Sequence, residues 1–299
     1  MEQNRRRRVK RKRKKLLRSF VKLGVRMAVI IVSFHVLWGI LKSDYSIFNL
    51  GGAIQYVDAA QSQLTKPKLY EGSDLEKELE SLAQESSDYR QIYEKREQYP
   101  EDVLTALCAN PEMVDFVKNY LEADGTVSGG ITEKELGQDI PLLIQWDERW
   151  GYAGYGQSDV GLSGCAPTCV SMVAVGLTKD KNLTPDVVAE YAYREGYYMD
   201  GTGTAWSFMT EGCRHFGIIG EELGLDESMI QNNLASGNPI ICSMRPGDFT
   251  TQGHFIVLSG IQDGKIIVND PNSRQRSSVL WDYETLKGQI KNLWVFYKA

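Results

Sequence analysis

The sequence predicts an α+β fold for the part of the chain that follows Asp139. Four segments between about 165 and 236 follow helical patterns, and strand-like apolar runs follow them up to the C-terminus. An Asp-Gly pair at 263–264 separates two of these runs, which is the spacing of a tight hairpin. Consecutive helices followed by an antiparallel sheet are typical of the α+β class.

Each element is predicted from its own residues. The helices span about 165–177, 184–194, 204–216 and 226–236. The strands are PIICSM at 239–244, GHFIVLSGI at 253–261, KIIVND at 265–270 and NLWVFYK near the C-terminus. We therefore assign residues 139–299 to one domain in which the sheet follows the helices.

The preceding part of the chain divides into a tether at 43–67, a helical region at 68–122 and a linker at 123–138. The leucines of the helical region keep helical spacing for fewer than about three heptads, which is too short for a coiled coil. We therefore favour packing of these helices on their own domain. Pairing with a partner, covering a cleft and acting as a spacer remain alternatives.

Charge is distributed very unevenly along the chain. Residues 1–26 contain 13 Lys or Arg and one Glu, although the whole chain has a net charge of −5. The uncharged run Met27–Leu41 follows at once. A basic cytoplasmic tail (1–22) before an apolar segment predicts a transmembrane signal-anchor at 23–42, with the remainder outside the cell membrane.

Two other interpretations of the N-terminus compete with this anchor. A cleaved signal peptide would release the folded part, but no small-x-small cleavage site lies just after Leu41. A nucleic-acid-binding arm leaves the apolar run unexplained. We therefore expect single-pass membrane attachment and no nucleic-acid partner.

The cysteine pattern excludes several classes of site. The five cysteines, at 108, 165, 169, 213 and 242, are odd in number and form no CxxC pair. A disulfide-dense exported scaffold has a different pattern. The three histidines do not cluster with cysteines at ligand spacing, so no metal site is predicted. No nucleotide or redox cofactor is predicted either.

Cys165 stands at the mouth of the apolar, helix-like run CAPTCVSM. If the helix begins at Ala166 or Pro167, Cys165 is its N-cap, where unpaired N–H groups and the helix dipole favour an anion. The reactive form of cysteine is the thiolate, so this position suits a nucleophile. Cys169, one turn later, is predicted to be a packing residue.

A thiol nucleophile requires a base and a group that orients the base. His254 opens the apolar strand HFIVLSG after the loop RPGDFTTQG, so its ring can face a cleft. Asp270 ends the next strand of the hairpin, and a bulge or loop would bring the two side chains together. We therefore predict His254 as the base and Asp270 as its orienting carboxylate.

The remaining candidate residues are predicted to surround the nucleophile. Gln145, in IPLLIQWDERWG, offers an amide donor for an oxyanion, and the Cys165 N–H is the second donor. Gly164 has no side chain, so a substrate backbone can approach closely. Gly253 and Trp206 are further candidates for substrate binding.

The order of these motifs resembles the C39-like, papain-type cysteine peptidases, whose best-known members are bacteriocin-processing, double-glycine peptidase domains. The resemblance covers residues 139–299 and depends on Gln145, Gly164-Cys165-x-Pro167-Thr168, Gly253-His254-Phe255-x-Val257-Leu258 and Asn269-Asp270-Pro271. It implies a papain-like fold with Cys165 as nucleophile, His254 as general base and acid, Asp270 as the histidine orienter and Gln145 as the oxyanion donor.

The resemblance implies a membrane-anchored, outward-facing thiol peptidase that acts on peptide, amide or isopeptide bonds. No GxxxxGK[ST] motif follows the domain, so we do not carry over the double-glycine substrate of transporter-fused members. A peptide or cell-wall peptide is the expected substrate. The alternative is a catalytically silent domain of the same fold that binds peptides or cell-wall components.

Overall fold

The computed structural model describes Leu64 and residues 66–299. The predicted cytoplasmic tail at 1–22, the signal-anchor at 23–42 and nearly all of the tether at 43–67 lie outside the described residues. Within the described part, no helix has both the length and the apolar character to cross a membrane.

Helices occupy much of the chain before the main sheet. The longer ones are α1 (Gly72–Glu85), α2 (Ser87–Glu94), α3 (Glu101–Ala109), α4 (Val114–Asn119), α5 (Cys165–Thr178), α6 (Pro185–Arg194) and α7 (Glu227–Ala235). Short α-helices lie at Glu133–Leu136, Val160–Ser163, Ser207–Thr210, Arg274–Ser277 and Tyr283–Lys287. Helices of the 3-10 type lie at Arg96–Gln98, Pro111–Met113, Tyr120–Glu122 and Gly212–Phe216.

One antiparallel sheet collects the main strands in the spatial order β1-β6-β2-β3-β4-β5. These strands are β1 (Ile218–Glu222), β2 (Ile240–Met244), β3 (His254–Gln262), β4 (Lys265–Asn269), β5 (Leu280–Trp281) and β6 (Ile290–Lys298). Two short ribbons pair Gly154–Tyr155 with Ser158–Asp159 and Tyr198–Met199 with Gly203–Thr204. The predicted mixture of helices and an antiparallel sheet is confirmed.

The predicted helix at 204–216 is wrong, because the structure has two short turns there instead. Thr204 pairs in a ribbon, and the chain forms one α-turn and one 3-10 turn up to Phe216. Gly212 lies where these turns meet, and a Cβ there would be 2.3 Å from the Phe208 ring. Glycine weakens a continuous helix, and here it also permits the close packing of the two turns.

The hairpin between β3 and β4 forms as predicted. Asp263 and Gly264 have φ angles of 53° and 75°, the positive values required by a tight two-residue turn of the I′ type. The pairing register shifts between Leu258 and Gly260, so a bulge is present in β3. The bulge absorbs one residue of the offset that separated the ends of the two strands in the sequence.

The two faces of the sheet have separate hydrophobic cores. Phe255 and Val257 of β3 pack into the core that contains α5, whereas Ile256 and Leu258 pack into the core that contains residues of α7. This alternation is the two-residue period of a strand covered on both faces. Residues 166–176 of α5 are all buried, which explains why that segment is apolar on every side.

The helical region packs on residues of this same chain, as we favoured from its sequence. The apolar side chains of α1 to α4 share a core with Ile144 and Trp146. The predicted linker at 123–138 is also bonded to the 139–299 domain, since Ser128 N donates to Arg149 O at 2.9 Å. The Arg149 guanidinium in turn forms a 2.7 Å ion pair with Glu135.

Candidate active site

Cys165 is the first residue of α5, with Gly164 as the N-cap. The helix therefore begins one residue earlier than the start at Ala166 or Pro167 that we assumed, so the assignment of Cys165 as N-cap is wrong by one position. The Gly164 carbonyl already accepts the Thr168 N–H at 2.9 Å, whereas the Cys165 N–H has no acceptor among the described residues. A Cβ on Gly164 would lie 2.5 Å from the Val160 carbonyl, so the turn before the helix requires glycine.

Cys169 differs from Cys165 in environment. Cys165 is partly exposed, and Cys169 is fully buried in the core around α5. Burial raises the pKa of the Cys169 thiol well above its usual value. The prediction that Cys169 is a packing residue is confirmed.

His254 and Asp270 meet at the end of the β3–β4 hairpin. His254 Nε2 lies 2.7 Å from Asp270 Oδ1, and both side chains are buried. His254 and Cys165 line the same cleft, and the Cys165 side chain contributes to the raised pKa of the imidazole. His254 and Asp270 are therefore in hydrogen-bond contact and Cys165 lines the same cleft as His254, while the roles of the three side chains in catalysis stay a prediction.

The surroundings favour the charged form of both His254 and Asp270. Burial opposes ionisation of His254, but attraction to Asp270 and hydrogen bonds to Asp270 and Cys165 outweigh it and raise the imidazole pKa to about 9. Burial also opposes ionisation of Asp270, but the Arg276 guanidinium and then His254 lower its pKa to about 2. The pair is therefore an imidazolium and a carboxylate at neutral pH.

Gln145 is held beside the start of α5 by two hydrogen bonds. Its backbone N–H donates to Pro271 O at 2.8 Å, and its Nε2 donates to Gly161 O at 2.8 Å. One hydrogen of Nε2 remains after that bond, because a primary amide carries two. Gln145 Oε1 is buried without a hydrogen-bond partner among the described residues.

A cleft of about 180 Å³ joins these groups. Its lining consists of Pro67, Ala109, Asn110, Gln145, Leu162, Cys165, Phe249, Thr250, Thr251, Gly253, His254, Asn272 and Arg276. Of the residues predicted to bind substrate, Gly253 lines this cleft and has open space beside its Cα. Gly164 and Trp206 are not in the lining, and the Trp206 ring packs against Trp294 with centroids 5.5 Å apart.

The family profile described as Peptidase_C39 like family matches residues 137–299. The chain belongs to this family. Among solved structures, the chain is similar to the peptidase domain of Streptococcus ComA, a bi-functional ABC transporter involved in a quorum sensing pathway. The two are 18% identical with a TM-score of 0.36, and the match covers 46% of this chain and 93% of that one.

A second similar structure is a double glycine motif protease from an AMS/PCAT transporter, solved in complex with the leader peptide. It is 15% identical with a TM-score of 0.38, and the match covers 57% of this chain and 98% of that one. No curated protein sequence matches the chain.

Sequence reasoning missed several residues that build the site of this C39-like peptidase family member. Arg276 is buried against Asp270, and Asn110 of the helical region contacts Asn272 beside the cleft. An arginine in the polar stretch NSRQRSS has no pattern that distinguishes it from a solvated loop residue. Asn110 is separated from its partner by 162 positions, so no local spacing predicts the contact.

Proposed function

We propose that the protein is a cysteine peptidase in which Cys165 is the nucleophile, His254 the general base and acid, and Asp270 the carboxylate that orients His254. The observation that carries the proposal is the position of His254, which lines the same cleft as Cys165 and has its Nε2 2.7 Å from Asp270 Oδ1. This chain of groups is the arrangement that nucleophilic catalysis by a thiol requires. Membership of a peptidase family supports a peptide bond as the target.

In the proposed reaction, the Cys165 proton already resides on the His254 imidazolium, and the Cys165 thiolate attacks the substrate carbonyl carbon. The new S–C bond pushes the carbonyl electrons onto oxygen, and collapse of this intermediate breaks the C–N bond as His254 protonates the leaving amine. A thioester remains on Cys165. Water then attacks it and gives a proton to His254, the S–C bond breaks, and the acid product leaves behind the Cys165 thiolate and the His254 imidazolium.

The oxyanion is proposed to lie between Gln145 and the start of α5. The free hydrogen on Gln145 Nε2 and the unpaired N–H of Cys165 are the two donors. Both are fixed before substrate binds, because Gln145 is held at its backbone and its side chain.

The wider setting of the enzyme is proposed from the sequence. A thiol at the start of a buried helix, with His and Asp on an antiparallel sheet, supports a papain-like arrangement. The basic run at 1–26 and the uncharged run Met27–Leu41 support a single-pass anchor with the peptidase domain outside the cell, where a peptide or a cell-wall peptide is the substrate. No cofactor enters the proposed reaction.

The test compares two cysteines one helical turn apart in the full chain. We expect Cys165→Ala to lower hydrolysis of a broad peptide library by more than about 10³-fold and to remove labelling by iodoacetamide. Cys169→Ala is the matched control and retains both. Unchanged labelling or hydrolysis in Cys165→Ala contradicts the assignment. Hydrolysis absent from the wild type, with labelling of Cys165 intact, favours a binding domain.

A further inference from the structure

Arg276 is a buried arginine beside the candidate site that the reaction described above does not use. It lies on the one-turn helix Arg274–Ser277 and is 6% exposed. Its Nε donates to Asp270 Oδ2 at 2.5 Å, and the residue also lines the cleft. A charged side chain at this depth is uncommon unless it is paired, and the Asp270 carboxylate supplies the pairing.

The two oxygens of Asp270 have different partners. Oδ1 accepts from His254 Nε2 at 2.7 Å and from the Asn272 N–H at 2.8 Å. Oδ2 accepts from Arg276 Nε at 2.5 Å. The carboxylate is therefore held from both sides, and rotation about its Cβ–Cγ bond would break bonds at both oxygens.

We propose that Arg276 is a positioning residue, which keeps Asp270 ionised and turned so that Oδ1 faces the His254 ring. The inference rests on the proposed function, because orientation of His254 matters only if His254 acts on Cys165. Arg276 itself touches neither Cys165 nor His254 by hydrogen bond among the described residues, so its effect passes through Asp270.

Electrostatics explains why a cation is required at this place. Asp270 is fully buried, and a buried carboxylate without a counter-charge takes up a proton. The charged or titratable groups that act on it are Arg276, His254 of β3 and Cys169 of α5. Arg276 is the one among them with a guanidinium, whose planar fork suits a buried ion pair with a carboxylate.

The backbone that carries Arg276 is itself fixed. The Arg276 N–H donates to Ser273 Oγ at 3.1 Å, and the Arg276 carbonyl accepts from Trp281 Nε1 at 3.0 Å. Glu112 of the helical region also receives the Arg274 N–H at 2.9 Å. The guanidinium therefore reaches Asp270 from a rigid support, as a positioning role requires.

The experiment measures the full chain with Arg276→Gln, Arg276→Lys and the control Arg274→Gln. Arg274 lies on the same helix, but its guanidinium stacks over the Trp146 ring, 4.4 Å from the centroid. Each protein is assayed for peptide hydrolysis as kcat and KM against pH. The rate of Cys165 alkylation by iodoacetamide against pH is the second measurement, and it needs no peptide substrate.

For Arg276→Gln we expect kcat to fall about 10²-fold, because misplacement of a catalytic group by about 1 Å has that effect. KM should stay within about twofold of the wild-type value. The low-pH limb of the profiles of kcat and of the alkylation rate, called the acid limb, should move towards neutral by about one pH unit. Arg276→Lys keeps the charge, so its acid limb should stay near the wild-type position while kcat falls. Arg274→Gln should match the wild type in every measurement.

Three results overturn the proposal. The first is an Arg276→Gln protein with wild-type kcat, and the second is a fall in activity that follows the folded fraction while the acid limb does not move. The third is a rise in KM at constant kcat, which would make Arg276 a substrate-binding residue. If Arg276→Gln does not fold, Arg276→Lys serves as the test instead. A wild-type kcat in Arg276→Lys would then contradict the positioning role.

Failure of the proposed function gives a different result. A wild-type protein that hydrolyses no peptide, but whose Cys165 alkylation profile shifts with Arg276→Gln, would remove the peptidase assignment and keep the positioning role. If the wild type hydrolyses peptides but the Cys165 alkylation profile is unchanged in Arg276→Gln, the peptidase assignment is kept and the positioning role is removed.

Discussion

The two walls of the cleft are held in place by different kinds of interaction. The thiol wall is the start of α5, a helix whose residues 166–176 are buried among apolar side chains. The acid wall is the segment 270–277, which is held mainly by directed polar contacts. Some of these contacts come from Asn110 and Glu112, which precede the segment by about 160 residues.

This difference determines how each wall responds to an amino-acid substitution. An apolar helix is supported by many small contacts, so the loss of one leaves most of the packing intact. A buried polar network depends on few bonds, and the loss of one leaves its partner buried and unsatisfied. We therefore expect substitutions of similar cost in stability to have unequal effects on activity at the two walls.

The largest effect is expected for Asp270→Asn. The amide no longer fixes the His254 tautomer, so kcat should fall about 10³–10⁴-fold, the size seen when a triad carboxylate is neutralised. Arg276 would remain buried without its counter-charge, which lowers the free energy of unfolding by about 3–5 kcal/mol. Steady-state hydrolysis and urea denaturation measure the two quantities.

The control for this variant lies on the helix that carries the thiol. Val173 is fully buried in the middle of α5, and Val173→Ala should lower the free energy of unfolding by about 1–3 kcal/mol through lost packing. Its kcat should nevertheless stay within about threefold of wild type. If the two variants lost activity in proportion to stability alone, the contrast between the walls would be wrong.

A smaller effect is expected at Glu112, which connects the helical region to the acid wall. Its carboxylate accepts from Ser273 Oγ, the Arg274 N–H and the Gln275 N–H. Hydrogen bonds to a charged group contribute about 1.5–3 kcal/mol, so Glu112→Gln should cost about that much stability. We expect kcat to fall about tenfold, measured on folded protein, because the turn that carries Arg276 loosens.

Glu94 provides the comparison for that variant. It is an exposed glutamate on α2 of the same helical region, so Glu94→Gln removes the same charge away from the cleft. We expect wild-type kcat and stability within about 0.5 kcal/mol for this control. Equal losses in the two variants would show that the helical region acts through its fold alone and that Glu112 has no particular link to the acid wall.

The same contrast explains how much the sequence could predict. The start of α5 and the β3–β4 hairpin have local signals, a Gly-Cys-x-Pro run and an Asp-Gly turn, so the sequence predicts a helix start near Cys165 and the proximity of His254 to Asp270. The placement of Cys165 beside that pair was implied by the family resemblance. Strand β1 was missed because its sequence IIGEE contains two glutamates and Gly220, whose missing Cβ admits the Met209 carbonyl, so it has no strand-like apolar run. Arg276 was missed because a polar contact between distant segments leaves no periodic pattern.

The smallest expected effect is a pH-dependent contribution of the His254–Asp270 pair to stability. The His254 pKa is raised from 6.5 to about 9 on folding, so its contribution is fully present below about pH 6.5 and is lost as the pH rises towards 9. The Asp270 pKa is lowered from 3.8 to about 2, so its contribution is present above pH 3.8 and is lost below it. The pair therefore stabilises the fold most between about pH 4 and 6.5.

This prediction is tested as the difference in free energy of unfolding between wild type and His254→Gln, measured by urea denaturation at several pH values. Asp159, whose pKa is raised to about 6 mainly by burial, titrates in both proteins and cancels in the difference. From about pH 6 to 7.5 the difference should shrink by about 1 kcal/mol, since one pKa unit corresponds to about 1.4 kcal/mol. A difference that grew with pH would mean that the imidazole is neutral in the folded protein, and the acid wall would then depend on Arg276 and Asp270 without the positive charge of His254.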